Sequence, residues 1–210
     1  MEIIDLGLNE EVVGKPFSDF VNNRMDLNGL NKIAVASERF IRKIENNPEG
    51  LILADILGSR DGGVPSRIAV NSRCVESLVS QDIDTHWYWV GFCGQKRDNL
   101  STNTAEQMED LNADLIKLIP EHPKLLFYSS IDLFPNWKNL VVFETIEAIA
   151  KWNNMAEHRK AVALSPDYYK TIRLHSGVFN WGRNEPLSLL RTKYYSFESE
   201  DVWMAERVYG

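Results

Sequence analysis

The sequence predicts an α+β fold in which antiparallel sheets carry helices on one face. Three observations lead to this class. Helical and strand-like segments alternate along the 210 residues, both halves place a helix before a strand, a turn and a second strand, and eight segments have strand character. The segment from Thr85 to Trp181 shows one pattern most clearly: strand, helix, strand, strand, helix, strand. This order predicts a ferredoxin-like unit, whose sheet has one face covered by helices and one bare face.

The first half of the chain is predicted to contain one long helix and three strands. Apolar residues recur at three- and four-residue steps from Leu30 to Ile44, which is typical of an amphipathic helix. Asn71 or Ser72 can cap a shorter helix that runs to Leu78. The strand candidates of this half are Ile3 to Leu8, Leu51 to Leu57 and Arg67 to Val70.

The second half is predicted to contain two helices with clear N-caps. Ser101 to Thr104 supplies capping groups for a helix that ends before Pro120. Thr145 can cap a helix whose apolar side continues from Ile146 to Ala163. The strand candidates of this half are Thr85 to Gly94, Lys124 to Asp132, Leu140 to Glu144, Ile172 to Trp181 and Ser188 to Phe197.

A weak internal repeat supports a division into two halves. A shift of 75 residues aligns five pairs of identical residues. They include Ile41 with Ile116, Pro48 with Pro123 and Leu51 with Leu126. We therefore predict a degenerate N-terminal ferredoxin-like half at residues 1–84, and a C-terminal ferredoxin-like half with an extra terminal strand at residues 85–210. Eight strands make two four-stranded sheets, and packing their bare faces together predicts an α+β barrel within one chain.

Composition and charge exclude several functional classes. The net charge is −7 and the pI is about 5.2, with no local basic patch, so we expect no nucleic-acid partner. No apolar run is long enough to span a membrane, and the N-terminus lacks the pattern of a signal peptide, so we expect a cytoplasmic protein without a membrane partner. The two cysteines, Cys74 and Cys93, are expected to be small core residues.

The stretch FETIEAIAKWNNMAEHR, from Phe143 to Arg159, resembles a known superfamily. It is similar to the strand-to-helix stretch of the dimeric α+β barrel proteins, which include antibiotic-biosynthesis-monooxygenase-like and EthD-like proteins. The resemblance is clearest from Lys124 to Gly177. Because members of the superfamily include cofactor-free monooxygenases, haem-degrading oxygenases and isomerases, the resemblance implies a fold, a pocket and a homo-oligomer more than one reaction.

Strand alternation predicts a substrate pocket inside the barrel. Along the segment from Ile172, the side chains of Arg173, His175, Phe179 and Trp181 share the face that is turned away from the helices. Tyr128, on the strand from Lys124, is predicted to line the same pocket. Mixed aromatic and polar linings of this kind bind small molecules.

His175 is the best candidate for a general base. A neighbouring Arg173 and burial both disfavour its charged form, so we expect a neutral imidazole near pH 7, with Glu144 or Tyr128 as its partner. Arg173 could stabilise a developing oxyanion. The alternative interpretation is that these residues are satisfied polar groups in a barrel interior without chemistry.

No metal, haem or other cofactor is expected. The four histidines show no pair at helical i, i+4 spacing, and no phosphate-binding loop occurs. At 100° per residue from Ile146, His158 falls opposite the apolar side and should face water unless the helix breaks before it. The resemblance implies a haem-ligand role for His158 only in the case of such a break.

Three functional classes remain open. The chain could be an enzyme that acts without a metal on a small aromatic or polyketide-like compound, resembling cofactor-independent monooxygenases or isomerases. It could instead bind such a compound without catalysis. It could also be an assembly module with no ligand, in which case the barrel interior would be fully packed.

Overall fold

The structure is a computed structural model that describes residues 4–5, 19–44, 51–55, 67–71, 86–133, 136–198 and 202–209. The described strands are β1 (Ile4–Asp5), β2 (Leu51–Asp55), β3 (Arg67–Asn71), β4 (His86–Lys96), β5 (Leu125–Leu133), β6 (Asn136–Phe143), β7 (Tyr169–Asn180), β8 (Leu187–Ser196) and β9 (Trp203–Val208). The helices are α1 (Asp19–Ile44), α2 (Thr102–Lys117), α3 (Ile146–Asn153) and α4 (Ala156–Tyr168), with a short 3-10 helix at Ile119–Glu121. The predicted helix after Asn71 or Ser72 lies outside the described residues.

The strand order confirms the α+β class and the ferredoxin-like unit. All described strands join one sheet in the order β1-β9-β8-β7-β4-β6-β5-β3-β2. The four central strands β7, β4, β6 and β5 are antiparallel neighbours, joined by α2 after β4 and by α3 and α4 after β6. Numbered within the unit, this order is fourth, first, third, second strand, which is the split βαβ arrangement.

The strands of the first half extend this sheet instead of forming a second layer. β3 pairs with β5 and β2 pairs with β3, both antiparallel, while β1 pairs in parallel with β9 at the opposite edge. An edge strand offers free backbone N–H and C=O groups, so an added strand satisfies them. The described part of the chain thus differs from the expected pair of facing sheets. The division at residue 84 stays a prediction, since residues 72–85 lie outside the described ranges.

Several helices and strands also differ from the predictions. Helix α1 begins at Asp19, eleven residues before the predicted start at Leu30. The helix predicted from Ile146 to Ala163 is broken at Asn154 and Met155, where Met155 has the extended backbone of an N-cap. Strand β9 was not expected at all. The caps at Ser101 and Thr145 are confirmed, since each side chain accepts a backbone N–H of its own helix.

Helix α1 covers the sheet face that was predicted to be bare. Its buried residues Leu30, Ile33, Ala34 and Ile41 form one apolar cluster with alternate sheet residues such as Phe127. The intervening sheet residues point the other way, and a second cluster joins them to α2 and α3. The sheet is therefore sandwiched between α1 on one face and α2, α3 and α4 on the other.

The close approach of α1 to β4 depends on Gly91. A Cβ added there would lie 2.5 Å from Cδ1 of Leu30 and 2.9 Å from Cζ3 of Trp89. Both distances are shorter than the contacts that real Cβ atoms make, so Leu30 or Trp89 would have to move. Gly91 therefore sets how tightly the helix seats on the sheet.

We predict that Gly91→Ala lowers the free energy of unfolding by about 1 to 3 kcal/mol, because overpacking forces α1 away from the sheet. Asn28→Ala is the control, since Asn28 is exposed on the same helix and alanine favours the helix. Urea unfolding of both variants measures the difference. A Gly91→Ala protein as stable as Asn28→Ala would contradict this packing.

Candidate functional site

A buried carboxylate lies between α1 and the sheet. Asp26 of α1 is only 2% exposed. Its Oδ1 lies 2.9 Å from the Lys138 ammonium, and its Oδ2 lies 2.5 Å from Nε of Arg173 and 3.2 Å from Nε2 of His175. One helix residue is thus bonded to β6 and to two positions on β7.

The surrounding donors keep Asp26 ionised. Burial by itself raises the pKa of Asp26, but hydrogen bonds from His175 and Arg173, with the positive charges of Arg173 and Lys138, reverse this and hold the pKa well below its usual range. The carboxylate is therefore charged throughout the neutral range. It is the shared counter-ion of the Lys138 and Arg173 cations.

His175 is completely buried, and both of its ring nitrogens are bonded. Nε2 donates to the Asp26 carboxylate, so Nδ1 accepts from the Thr192 hydroxyl at 2.9 Å. Thr192 in turn accepts from the Tyr209 hydroxyl at 3.3 Å. Burial lowers the pKa of His175, and Arg173 and Lys138 add to this against the opposing effect of Asp26. The neutral state agrees with the sequence expectation, but the carboxylate that orients the ring is Asp26.

The structure places Glu144 elsewhere. It lies exposed just after β6, and its carboxylate is 3.8 Å from the ammonium of Lys124. His175 instead forms its bonds with Asp26 and Thr192, so the predicted contact between His175 and Glu144 does not form among the described residues. The reason is the length of α1, whose unpredicted first turns carry Asp26 onto the sheet.

The other predicted pocket residues divide between the two faces of the sheet. Arg173 is bonded to Asp26, and Phe179 stacks on Trp87 in the α1 cluster. Trp181 lies under the Arg42 guanidinium, 5.1 Å from its ring centre. Tyr128 faces the opposite side, toward α2. The alternation that grouped Arg173, His175 and Phe179 is correct, but helix α1 fills the space they face.

Among the described residues, one group has ligand atoms close enough to hold a metal. These atoms of Asp26, Cys93 and His175 lie within 4.8 Å of one another. The donor set fits a cation poorly, because Lys138 and Arg173 already occupy both oxygens of Asp26 and would repel it. Burial also raises the pKa of the Cys93 thiol, which keeps it protonated. The expected absence of a metal or haem stays a prediction.

A large cavity lies on the other face, between the sheet and helices α2, α3 and α4. Its volume is about 1660 Å³. The floor includes Tyr88, Val90 and Phe92, the β4 side chains that alternate with those facing α1. Tyr128 and His175 line this cavity, whereas Arg173, Phe179 and Trp181 do not. Those last three residues were therefore assigned to a pocket that lies on the other face of the sheet.

The cavity wall includes a polar group around Tyr128. The Tyr128 hydroxyl donates to Oδ1 of Asn112 on α2 at 3.2 Å. Burial raises the pKa of Tyr128 to about 12. Ser130 and Asn139 line the same part of the cavity. This wall offers hydroxyl and amide groups for hydrogen bonding beside the aromatic and aliphatic side chains of the lining.

His158 lies at the cavity, not on the outer surface. The helix break at Asn154 and Met155 resets the rotation of α4, so the angle counted from Ile146 no longer applies. His158 packs 6.0 Å from Trp152, ring centre to ring centre, and both residues line the cavity. Burial lowers the pKa of His158, which favours a neutral imidazole. The prediction that His158 faces water is wrong, and its outward angle no longer argues against haem.

Lys96 is a cavity residue that the sequence analysis missed. Its ammonium lies 2.7 Å from Oδ2 of Asp132 and over the rings of Trp137 and Tyr168, at 5.5 and 5.8 Å from their centres. It is only 8% exposed. Alternation along β4 from Phe92 could have placed it on the cavity face, but the predicted strand ended at Gly94.

Comparisons with known proteins find structural likeness only. No protein-family model and no curated protein sequence matches the chain. SnoaB, a cofactor-independent oxygenase from Streptomyces nogalater, matches with 10% identity over 47% of this chain and 95% of its own, at a TM-score of 0.34. A dimeric ferredoxin-like protein of unknown function from Bacteroides fragilis matches with 10% identity over 47% of this chain and all of its own, at 0.39.

A proposed monooxygenase from Lactobacillus acidophilus covers more of the chain. It matches with 10% identity over 78% of this chain and 93% of its own, at a TM-score of 0.39. With TM-scores this low, the activities of these proteins are not assigned to this chain. The ferredoxin-like assignment rests on the strand order itself. In the part of the chain that the structure describes, no helix is both long and apolar enough to cross a membrane.

We predict that Asp26→Asn lowers the free energy of unfolding by about 3 to 5 kcal/mol at pH 7, because it removes the buried charge that pairs with both Lys138 and Arg173. Asp114→Asn is the matched control, since Asp114 forms an exposed ion pair with Lys117 and its loss should leave stability nearly unchanged. Guanidinium unfolding compares the two. Equal stabilities would show that Asp26 does not anchor α1.

Proposed function

We propose that this protein binds a small, largely apolar molecule in the cavity between the sheet and helices α2, α3 and α4. The observation that carries the proposal is the cavity itself, with a volume of about 1660 Å³. Ligand pockets of drug-sized molecules occupy roughly 300 to 1,000 Å³, so this volume accommodates one comfortably. An assembly module without a ligand would be expected to pack this space, because protein interiors leave few voids.

The lining supports an aromatic or polyketide-like ligand. Phe92, Trp137 and Trp152 present rings to the cavity, and flat aromatic faces favour offset or edge contacts with aromatic ligands. The neutral wall around Tyr128 and Asn112 offers hydrogen bonds to ligand hydroxyl or carbonyl groups. An apolar space with a few converging polar groups is the usual composition of a small-molecule site.

His158 supports a catalytic version of the same proposal. A partly buried, neutral imidazole on the wall could accept a proton from a ligand hydroxyl or an acidic C–H group. Such a step resembles the first step of a cofactor-free oxygenase or isomerase. The predicted pair of His175 and Glu144 is not part of this proposal, because the two side chains do not meet. The homo-oligomeric state and the cytoplasmic location remain predictions from the sequence.

We predict that the neutral dye N-phenyl-1-naphthylamine binds with increased fluorescence, and that Ser176→Phe weakens its binding at least about tenfold. Ser176 lies on the cavity face of β7, so a phenyl ring there occupies ligand space. Asn103→Phe places the same ring on the exposed start of α2 and serves as the control. Equal dye affinities in the two variants would contradict a ligand cavity.

We predict that His158 titrates with a pKa below 6.5 and that the same dye lowers it further, because a bound apolar molecule removes the remaining water from the imidazole. Ring ¹H–¹⁵N spectra between pH 4 and 8 measure this titration. A His158 titration that the dye does not affect would remove this residue from the site.

A further inference from the structure

Lys96 has more hydrogen-bond donors than the surrounding protein satisfies. An ammonium carries three N–H donors, and in the described structure Lys96 makes one hydrogen bond, to Asp132. Its side chain is nine-tenths buried, so little water reaches the remaining donors. The Trp137 and Tyr168 rings provide cation–π contacts but accept no conventional hydrogen bond.

The carboxylate beside Lys96 compensates this charge only in part. The Asp132 side chain is 44% exposed, so water competes for its charge, whereas the Lys96 side chain is 10% exposed. Burying an ammonium without enough acceptors is costly. An acceptor in the cavity would relieve that cost, and an anionic acceptor would relieve it most.

The charged residues around the cavity add to this preference. The basic residues that line it are Arg67, Lys96, Arg159, Arg191 and Lys193, and the acidic ones are Glu109 and Asp132. Glu206 lies within ion-pair distance of Arg191 and Lys193 and offsets part of the charge at the rim. With Arg67 left out of the count, four basic groups stand against these three acidic ones, so basic groups remain in excess although the whole chain carries −7. This local sign favours an anion.

We propose that the ligand of this cavity is an aromatic or apolar anion, such as a carboxylate, a sulfonate or a phenolate, and that Lys96 binds its charged oxygen. The inference rests on the proposed function, because it assigns the class of ligand for the same cavity. Asp132 holds the ammonium in position, and Trp137 and Tyr168 flank the apolar part of the ligand next to the charge. Lys96 is then the residue that selects anions over neutral analogues.

A matched pair of dyes tests the proposal. 8-Anilinonaphthalene-1-sulfonate is N-phenyl-1-naphthylamine with an added sulfonate, so the ratio of their dissociation constants isolates the charge. We expect Lys96→Met to weaken binding of the sulfonate dye at least about tenfold and of the neutral dye less than about threefold. Lys170→Met is the control, because Lys170 pairs with Asp98 and does not line the cavity. It removes the same charge and should leave both affinities unchanged.

Asp132→Asn provides a second variant that keeps Lys96. It frees the ammonium from its carboxylate, so the sulfonate dye should bind more tightly while the neutral dye is unaffected. Equal losses of both dyes in Lys96→Met, or no gain of the sulfonate dye in Asp132→Asn, would overturn the role of Lys96. Those results would leave the ligand cavity intact if the neutral dye still binds, whereas failure of both dyes to bind the wild type would overturn the proposed function itself.

Discussion

The contact between Asp26 and the sheet determines which face of this fold is closed. Asp26 joins α1 to β6 and β7 through Lys138, Arg173 and His175, all within 3.2 Å of its oxygens. The apolar residues of α1 supply the area that drives its packing. The buried charges define where the helix lies on the sheet, because any shift would weaken the ion pairs of Asp26 with Lys138 and Arg173. A helix anchored in this way fills the face that a ferredoxin-like sheet otherwise leaves bare.

Closing that face leaves the opposite one for a ligand. Helices α2 and α4 pack against each other on the far side of the sheet, and the aromatic cavity lies beneath them. His158 and Lys96 reach the cavity from different elements, one from α4 and one from the end of β4. The division of roles follows from the two faces: the polar groups under α1 hold the fold, and those under α2 and α4 are available for binding.

Local patterns predicted local features of this structure well. Alternation along β7 placed His175 with Arg173, and burial with a neighbouring guanidinium predicted its neutral state. The partner of His175 could not be predicted, because Asp26 lies 149 residues away and its contact depends on how α1 docks. His158 was misplaced because the angle counted from Ile146 assumed one continuous helix. The break at Asn154 and Met155 changes the rotation of the helix that follows.

Intermolecular NOEs from bound N-phenyl-1-naphthylamine to assigned methyl groups test the central claim most directly. The account predicts NOEs to Ile149 and Leu174, which line the cavity between the sheet and its helices. It predicts none to Leu30 and Ile33, which α1 presents to the opposite face. NOEs to Leu30 and Ile33 without any to Ile149 and Leu174 would contradict it, since the ligand would then occupy the face that α1 is held to close.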